Sequence, residues 1–302
     1  MSSLAALQER FALPDALRFE SGTEGLTRAV FTTPHAQAHL YLHGAHLTHY
    51  QPAGQAPVLF LSKCSEFAAD KAIRGGVPLI FPWFGAKADD KAAPSHGFAR
   101  LGDWDVSATT LHDDGSVTLE LRLAPDQAAL QLWPASWALS YRVTVGATLH
   151  LELSVHNTGE TAFRFENALH TYFRVGDVQR ASIEGLGGTS YLDKTDGMRQ
   201  KRQDTDPLRI TAETDRVYLD TRTPCTIDDP DLKRHITVEK RGSDATVVWN
   251  PAQDKAAKMA DLCDDEWPRF LCVESGNIGP HAVTLAPGAT HAMSVTISSS
   301  QK

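Results

Sequence analysis

Apolar and polar residues alternate along much of this chain with a period of two. In 116-SVTLELRL-123, Val117, Leu119, Leu121 and Leu123 are separated by polar residues, and in 147-ATLHLELSVH-156 Leu149, Leu151, Leu153 and Val155 repeat the pattern. The stretch 291-HAMSVTIS-298 carries it in Met293, Val295 and Ile297, and similar runs lie at 27-TRAVFTT-33, 138-ALSYRVTV-145, 236-ITVEK-240 and 245-ATVVWN-250. Such alternation predicts strands with one buried face and one wet face. Helical patterning is scarce. It is confined to 251-PAQDKAAKMAD-261, with Asn250 as N-cap and Pro251 at the first helical position, and to 125-PDQAALQL-132. Many short strands separated by turn signals predict an all-β, mainly antiparallel sandwich or barrel with a few short helices. No low-complexity linker or internal repeat divides the chain, so one domain is expected over residues 1–302, with about 1–25 as a less defined lead-in.

Three segments depart from simple alternation. The stretch 74-RGGVPLIFPWFG-85 places Pro78 and Pro82 inside an apolar run, and each proline removes a donor that a sheet ladder needs. It reads either as an edge strand ending in a turn or as an irregular segment under a pocket with Arg74 at its mouth. In 163-FRFENALHTYF-173, Phe163, Phe165, Leu169 and Phe173 share one parity, while Arg164, Glu166, Ala168, His170 and Tyr172 share the other. That second face is either a wet surface or the floor of a site. In 269-RFLCVES-275, Glu274 shares its face with Phe270 and Cys272. Desolvation there would raise the carboxyl's pKa towards that of a base working near neutral pH, whereas an edge carboxylate at the strand end would stay ordinary.

Composition narrows the function classes. Of the 302 residues, 42% are apolar and 22% charged, as in a soluble globular protein, and the net charge of −8 argues against a nucleic-acid partner. No apolar run is long enough for a membrane span, and Glu9 and Arg10 come too early for a signal peptide. Cys64, Cys225, Cys263 and Cys272 form no C-x-x-C pair, so reduced thiols and a cytoplasmic setting are expected. His35, His39 and His43 are four residues apart, but on strands that spacing spreads to about 13 Å, too far for ligands whose bonds are about 2 Å. No metal or other cofactor is expected.

Two short motifs complete the set. The loop 95-SHGFAR-100 offers His96 and Arg100, and 214-TDRVYLD-220 places Asp215 before a Val-Tyr-Leu strand. Together with RGGVPLIFPWFG, ALHTYFRVGD, VVWNP with KMADL, and FLCVESG, in this order from about residue 38 to the end, they resemble the hexose-6-phosphate mutarotase branch of the aldose 1-epimerase superfamily. The resemblance implies a large galactose mutarotase-like β-sandwich binding sugar on its concave face. It also implies His170 as general acid, Glu274 as general base, and Arg74, Ser95, His96, Arg100 and Asp215 as substrate-binding positions. Relatives often carry glutamine where Ser95 stands, and proline or alanine where Ser275 stands. The activity so implied is anomer interconversion of a hexose 6-phosphate without cofactor, by a monomer or weak homo-oligomer. The alternatives are a mutarotase of free aldoses and a non-catalytic carbohydrate-binding sandwich. On this reading Arg74 and Arg100 present forks to anionic oxygens, Gly75 and Gly76 bring the backbone close to the ligand, and the aromatic residues of 81–84 pack against the sugar.

Overall fold

The computed structural model describes residues 2–302. Two eight-stranded sheets dominate, and every named strand pair is antiparallel. The first runs from Ser182–Glu184 through Cys225–Asp229, Arg234–Arg241, Thr290–Gln301, Leu149–Asn157, Trp137–Val145 and Val117–Leu123 to Asp105–Leu111. The second runs from Arg199–Arg202 through Ser190–Asp193, Thr214–Leu219, Ala245–Asn250, Phe270–Asn277 and Asn167–Leu169 to Leu79–Ile80, with Tyr172–Arg174 also paired to Phe270–Asn277. Leu119, Tyr141, Leu151 and Val295 of the first sheet share one apolar core with Val248, Leu271 and Val273 of the second. This is the antiparallel sandwich that the alternation predicts.

The second sheet is covered on both faces, which is why Phe270–Asn277 is buried at every position. Leu271 and Val273 enter the shared core, while Phe270 and Cys272 face a separate cluster with Phe60, Tyr172 and Trp249. Glu274 therefore lies on a central strand, and the edge-carboxylate reading does not hold.

The stretch 163–173 is not one strand. It divides into Phe163–Phe165, Asn167–Leu169 and Tyr172–Arg174, yet the parity survives, with Phe165, Leu169 and Phe173 in the shared core. The helix expected over 251–261 is only Ala252–Ala256, because the chain then turns to bring Met259 and Leu262 against the Trp249–Phe270 cluster. The helix at 125–132 is present as Gln127–Leu132, capped by the Asp126 carboxylate at Ala129 N. The lead-in has regular structure of its own. It forms a helix, Leu4–Phe11, and a strand, Leu17–Ser21, paired with Thr27–Thr32.

Within the proline-containing stretch only Leu79–Ile80 is a strand. The prolines need no N–H, since their carbonyls accept the ladder bonds: Pro78 O from His170 N and Pro82 O from Glu166 N. Gly75 and Gly76 have φ of 112° and 58°, and a Cβ would stand 2.5 Å from Phe60 O and 2.2 Å from Leu47 O respectively. Their close approach is thus to the chain itself rather than to a ligand.

Of the histidines of 35–50, His46 holds this segment. His43 Nε2 donates to Lys71 O and His46 Nε2 to Gly75 O, each at 2.7 Å, while His39 stacks against His49 and His35 meets Asp114 O. Burial, with the neighbouring cations adding to it, pushes His46 down to about 3. An unfolded His46 titrates near 6.5, so between these values the unfolded chain binds the extra proton and stability falls as pH falls. Unfolding free energy is expected to drop by up to about 1.4 kcal/mol per pH unit from this group. Denaturant titrations of the wild type and His46→Gln at about pH 7 and about pH 4.5 check this, because the variant should lose part of the acid sensitivity.

The reduced-thiol expectation is corrected at two of four cysteines. Cys64 and Cys263 form a disulfide across a sequence separation of 199, with Cα atoms 5.3 Å apart, whereas Cys225 and Cys272 are free and buried. No local motif reveals a pair that only the docking of two distant loops brings together. Thiol reductant is expected to cost about 2–4 kcal/mol of stability, and the difference should vanish in Cys64→Ser when both are compared by thermal melting.

Candidate active site

The second sheet brings its outward-facing residues into cross-strand rows. Asp215 pairs with Trp249, Trp249 with Cys272, and Cys272 with Tyr172, which sets one row across four strands. In the adjacent row Val217, Val247 and Glu274 are in register. Leu169 pairs with Ser275 and Tyr172 with Cys272, so the intervening register sets His170 opposite Glu274.

The side chains meet. His170 Nε2 lies 3.2 Å from Glu274 Oε1, and the two are 7% and 1% exposed. The contact is close but out of line, so neither Glu274 oxygen nor His170 Nδ1 has a hydrogen-bond partner among the described residues. Leaving a buried carboxyl without donors is costly, and such groups in native proteins call for a functional reason. His170 is sandwiched in aromatic surroundings, stacked on Tyr172 with centroids 4.8 Å apart and edge-on to Trp249 and His96. Burial raises the Glu274 carboxyl well above its usual range, with Asp215 reinforcing it. Burial lowers His170 well below its usual value, reinforced by His96, Arg100 and Arg74. Both shifts favour the neutral groups, so the pair as a unit holds a single proton over a wide pH range.

Three cations surround it. Arg74 is held in place: Nε and Nη2 donate to Asp261 Oδ2 at 3.0 and 2.8 Å, and Nη1 to the Tyr172 hydroxyl at 2.9 Å. Burial opposes its charge, but Tyr172 and Asp261 outweigh that and raise its pKa. Arg100 is different. Its Nη2 donates to Ser95 O at 2.7 Å, while its buried Nε has no partner among the described residues. Burial, with repulsion from Arg74, brings it down to about 10, so it stays charged at neutral pH. Lys194 Nζ stands 3.3 Å from Asp215 Oδ2 and 5.0 Å over the Phe84 ring. Burial raises the Asp215 carboxyl, and Lys194 acts against that rise.

His96 is held by the loop that carries it. Its Nδ1 accepts from Gly85 N at 3.2 Å, which leaves Nε2 to carry the proton, and its backbone sits at φ 65°. A left-handed non-glycine residue is uncommon and is found where surroundings over-determine the conformation. The ring packs edge-on to Phe84 and to His170.

His170, Glu274, Arg74, Arg100, His96 and Asp215 therefore converge, though they come from five separate segments. Ser95 joins through its carbonyl, which holds Arg100, and its residue is otherwise exposed. Of the aromatic residues in 81–84, Phe81 is buried among Trp133, Trp137 and Phe165, so Phe84 is the ring that faces the site. Glu166 does not join the floor. It accepts from Phe84 N and Gly279 N and braces the loop. The residues missed from sequence are Tyr172, whose parity matched that of His170, Asp261, which lies in the quoted KMADL, and Lys194, which has no local signal. A cavity of about 600 Å³ lined by Phe60, Lys63, Arg174 and Glu266 includes neither His170 nor Glu274, so chemistry rather than enclosed volume marks the site.

The family model for aldose 1-epimerase matches residues 28–298. A Salmonella typhimurium protein, provisionally named glucose-6-phosphate 1-epimerase, is 36% identical over 252 residues, covering 83% of each chain. One from Cenchrus ciliaris with the same provisional name is 33% identical, covering 83% of this chain and 78% of its own. The crystal structure of a protein from Salmonella typhimurium, described provisionally as a mutarotase, superposes with a TM-score of 0.90 at 32% identity and covers 97% and 96% of the two chains.

Proposed function

The chain belongs to the aldose 1-epimerase family, and from that premise we propose that it interconverts the α and β anomers of a hexose 6-phosphate, with glucose 6-phosphate as the leading substrate. The observation that carries the acid–base part is the buried His170–Glu274 pair, 3.2 Å apart with its carboxyl oxygens free of other partners. Anomer exchange needs one group to take the proton from the C1 hydroxyl and another to protonate the ring oxygen. Rotation about C1–C2 and reclosure then reverse both transfers. Glu274 is the base and His170 the acid.

The pair's one proton makes this possible. Glu–COOH with neutral His and Glu–COO⁻ with His⁺ are two placements of the same proton, and burial of both groups favours the first. Sugar hydroxyls donating to Glu274 favour the second, which is the arrangement that opens the ring. Arg100 supports a phosphate reading because a half-buried guanidinium whose Nε lacks a partner among the described residues is suited to an anionic oxygen. Asp215 and Lys194 offer an acceptor and a donor for sugar hydroxyls. The provisional names of the relatives support the same substrate.

The test is anomer-exchange NMR with glucose 6-phosphate and glucose at equal concentration. Exchange above the spontaneous rate, and faster for the phosphate ester, is expected. Equal acceleration of both sugars would favour a free-aldose mutarotase, and acceleration of neither would leave a sugar-binding sandwich.

A further inference from the structure

Anomer exchange uses one acid and one base, and it leaves the thiol beside them without a task. Cys272 is 0% exposed, two residues from Glu274 on the same face of the central strand and in register with Trp249 and Tyr172. One nitrogen of His170, the Cys272 sulfur and an oxygen of Glu274 all lie within 4.8 Å of one another. We propose that these three side chains form a binding site for a thiophilic divalent cation such as Zn²⁺, and that its occupation shuts off turnover.

The donor set carries the argument. A thiolate, an imidazole and a carboxylate together suit zinc rather than magnesium or calcium, which take oxygen alone. Tetrahedral bonds of about 2.0–2.3 Å put neighbouring ligand atoms roughly 3.3–3.7 Å apart. The His170–Glu274 separation of 3.2 Å already fits, and only the sulfur has to close by about 1 Å. Both carboxyl oxygens lack a competing partner among the described residues, so coordination breaks no hydrogen bond there. The walls are Tyr172, Trp249 and Phe270, and three protein donors leave the fourth position of the ion to a water that enters with it. Arg74 and Arg100 repel a cation, but binding releases two protons to solvent, one from the Cys272 thiol and the one held by the His170–Glu274 pair, and the thiolate and carboxylate so formed balance the charge of the ion.

Binding itself depends only on the three donors. The inhibitory half rests on the acid–base reading above, because the ion would take the lone pair of His170 and the carboxylate of Glu274 together.

Co²⁺ and Zn²⁺ are the probes, added to chelator-treated full-length protein. Co²⁺ is expected to give a tetrahedral visible spectrum with a thiolate-to-metal band in the near ultraviolet, and Zn²⁺ to quench it. Zn²⁺ should inhibit anomer exchange competitively with the hexose phosphate, and a chelator should restore it. Cys272→Ala and Cys272→Ser should lose the thiolate band. They should also need at least about 10–100-fold more Zn²⁺ for half-inhibition relative to their own metal-free rates, since losing even an outer partner of a metal ligand costs that much. A spectrum without the thiolate band, or equal Zn²⁺ sensitivity in the variants, would overturn the site. Binding through Cys272 with undiminished turnover would overturn the inhibitory half. Metal-free protein that exchanges no anomers would instead sink the proposed function, while the spectra still decide the metal site.

Discussion

Glu274→Gln and His170→Ala are each expected to lower anomer-exchange turnover by about 10²–10⁴-fold, the usual contribution of a positioned acid or base. Glutamine keeps the volume and polarity of Glu274 while removing its capacity to carry a proton, so the fold should persist. Alanine at His170 leaves space beside Tyr172 and Trp249, and a thermal melt of that variant is part of the measurement. The loss should not be additive, because either group alone cannot complete both transfers. Near-normal exchange by either folded variant would remove that residue from the mechanism. The pH profile should be bell-shaped. Activity falls on the acid side as a second proton enters the pair, and on the alkaline side as its last proton leaves. Since burial lowers His170 and raises Glu274, the plateau between the two limbs should be broad. The two apparent pKa values belong to the pair rather than to either residue.

Arg100→Ala should separate the phosphate ester from the free sugar. A charge-assisted hydrogen bond to phosphate contributes roughly 1.5–3 kcal/mol, which is about 10-fold to 150-fold in kcat/KM. Glucose has no such group, so its kcat/KM should change far less. Arg74→Ala has a different expected signature, because three of its N–H groups are already committed to Asp261 and Tyr172. Its loss would free the Tyr172 ring that supports His170 and should lower exchange on both sugars alike. Measuring both variants on both substrates decides the matter. If Arg100→Ala loses activity equally on glucose and glucose 6-phosphate, Arg100 is not the phosphate reader.

The strands at 117–123, 149–157 and 245–250 were legible because side-chain alternation is a local property that each segment carries in its own residues. The same logic placed His170 and Tyr172 on one face of their segment, and Phe270, Cys272 and Glu274 on one face of theirs, and the structure keeps both assignments and sets the two together on the same side of the sheet. Parity says which face a residue takes, but it does not say which strand lies beside it. The pairing of Phe270–Asn277 with Asn167–Leu169 and Tyr172–Arg174 is what sets His170 opposite Glu274, and that register depends on the whole sheet. The anchoring of Arg74 by Asp261, the Cys64–Cys263 bond and the arrival of Lys194 beside Asp215 are likewise contacts between segments far apart in the chain. The resemblance in RGG, HGFAR and TDRVY implied substrate-binding positions at Arg74, Arg100 and Asp215 without distinguishing their roles. The tertiary structure alone gave them different work, with Arg74 held by its own neighbours and Arg100 left with a buried donor free. The physical reason is one of range. Periodicity is set by backbone geometry within a few residues, whereas partner, register and burial are set by how distant surfaces close over one another and exclude water.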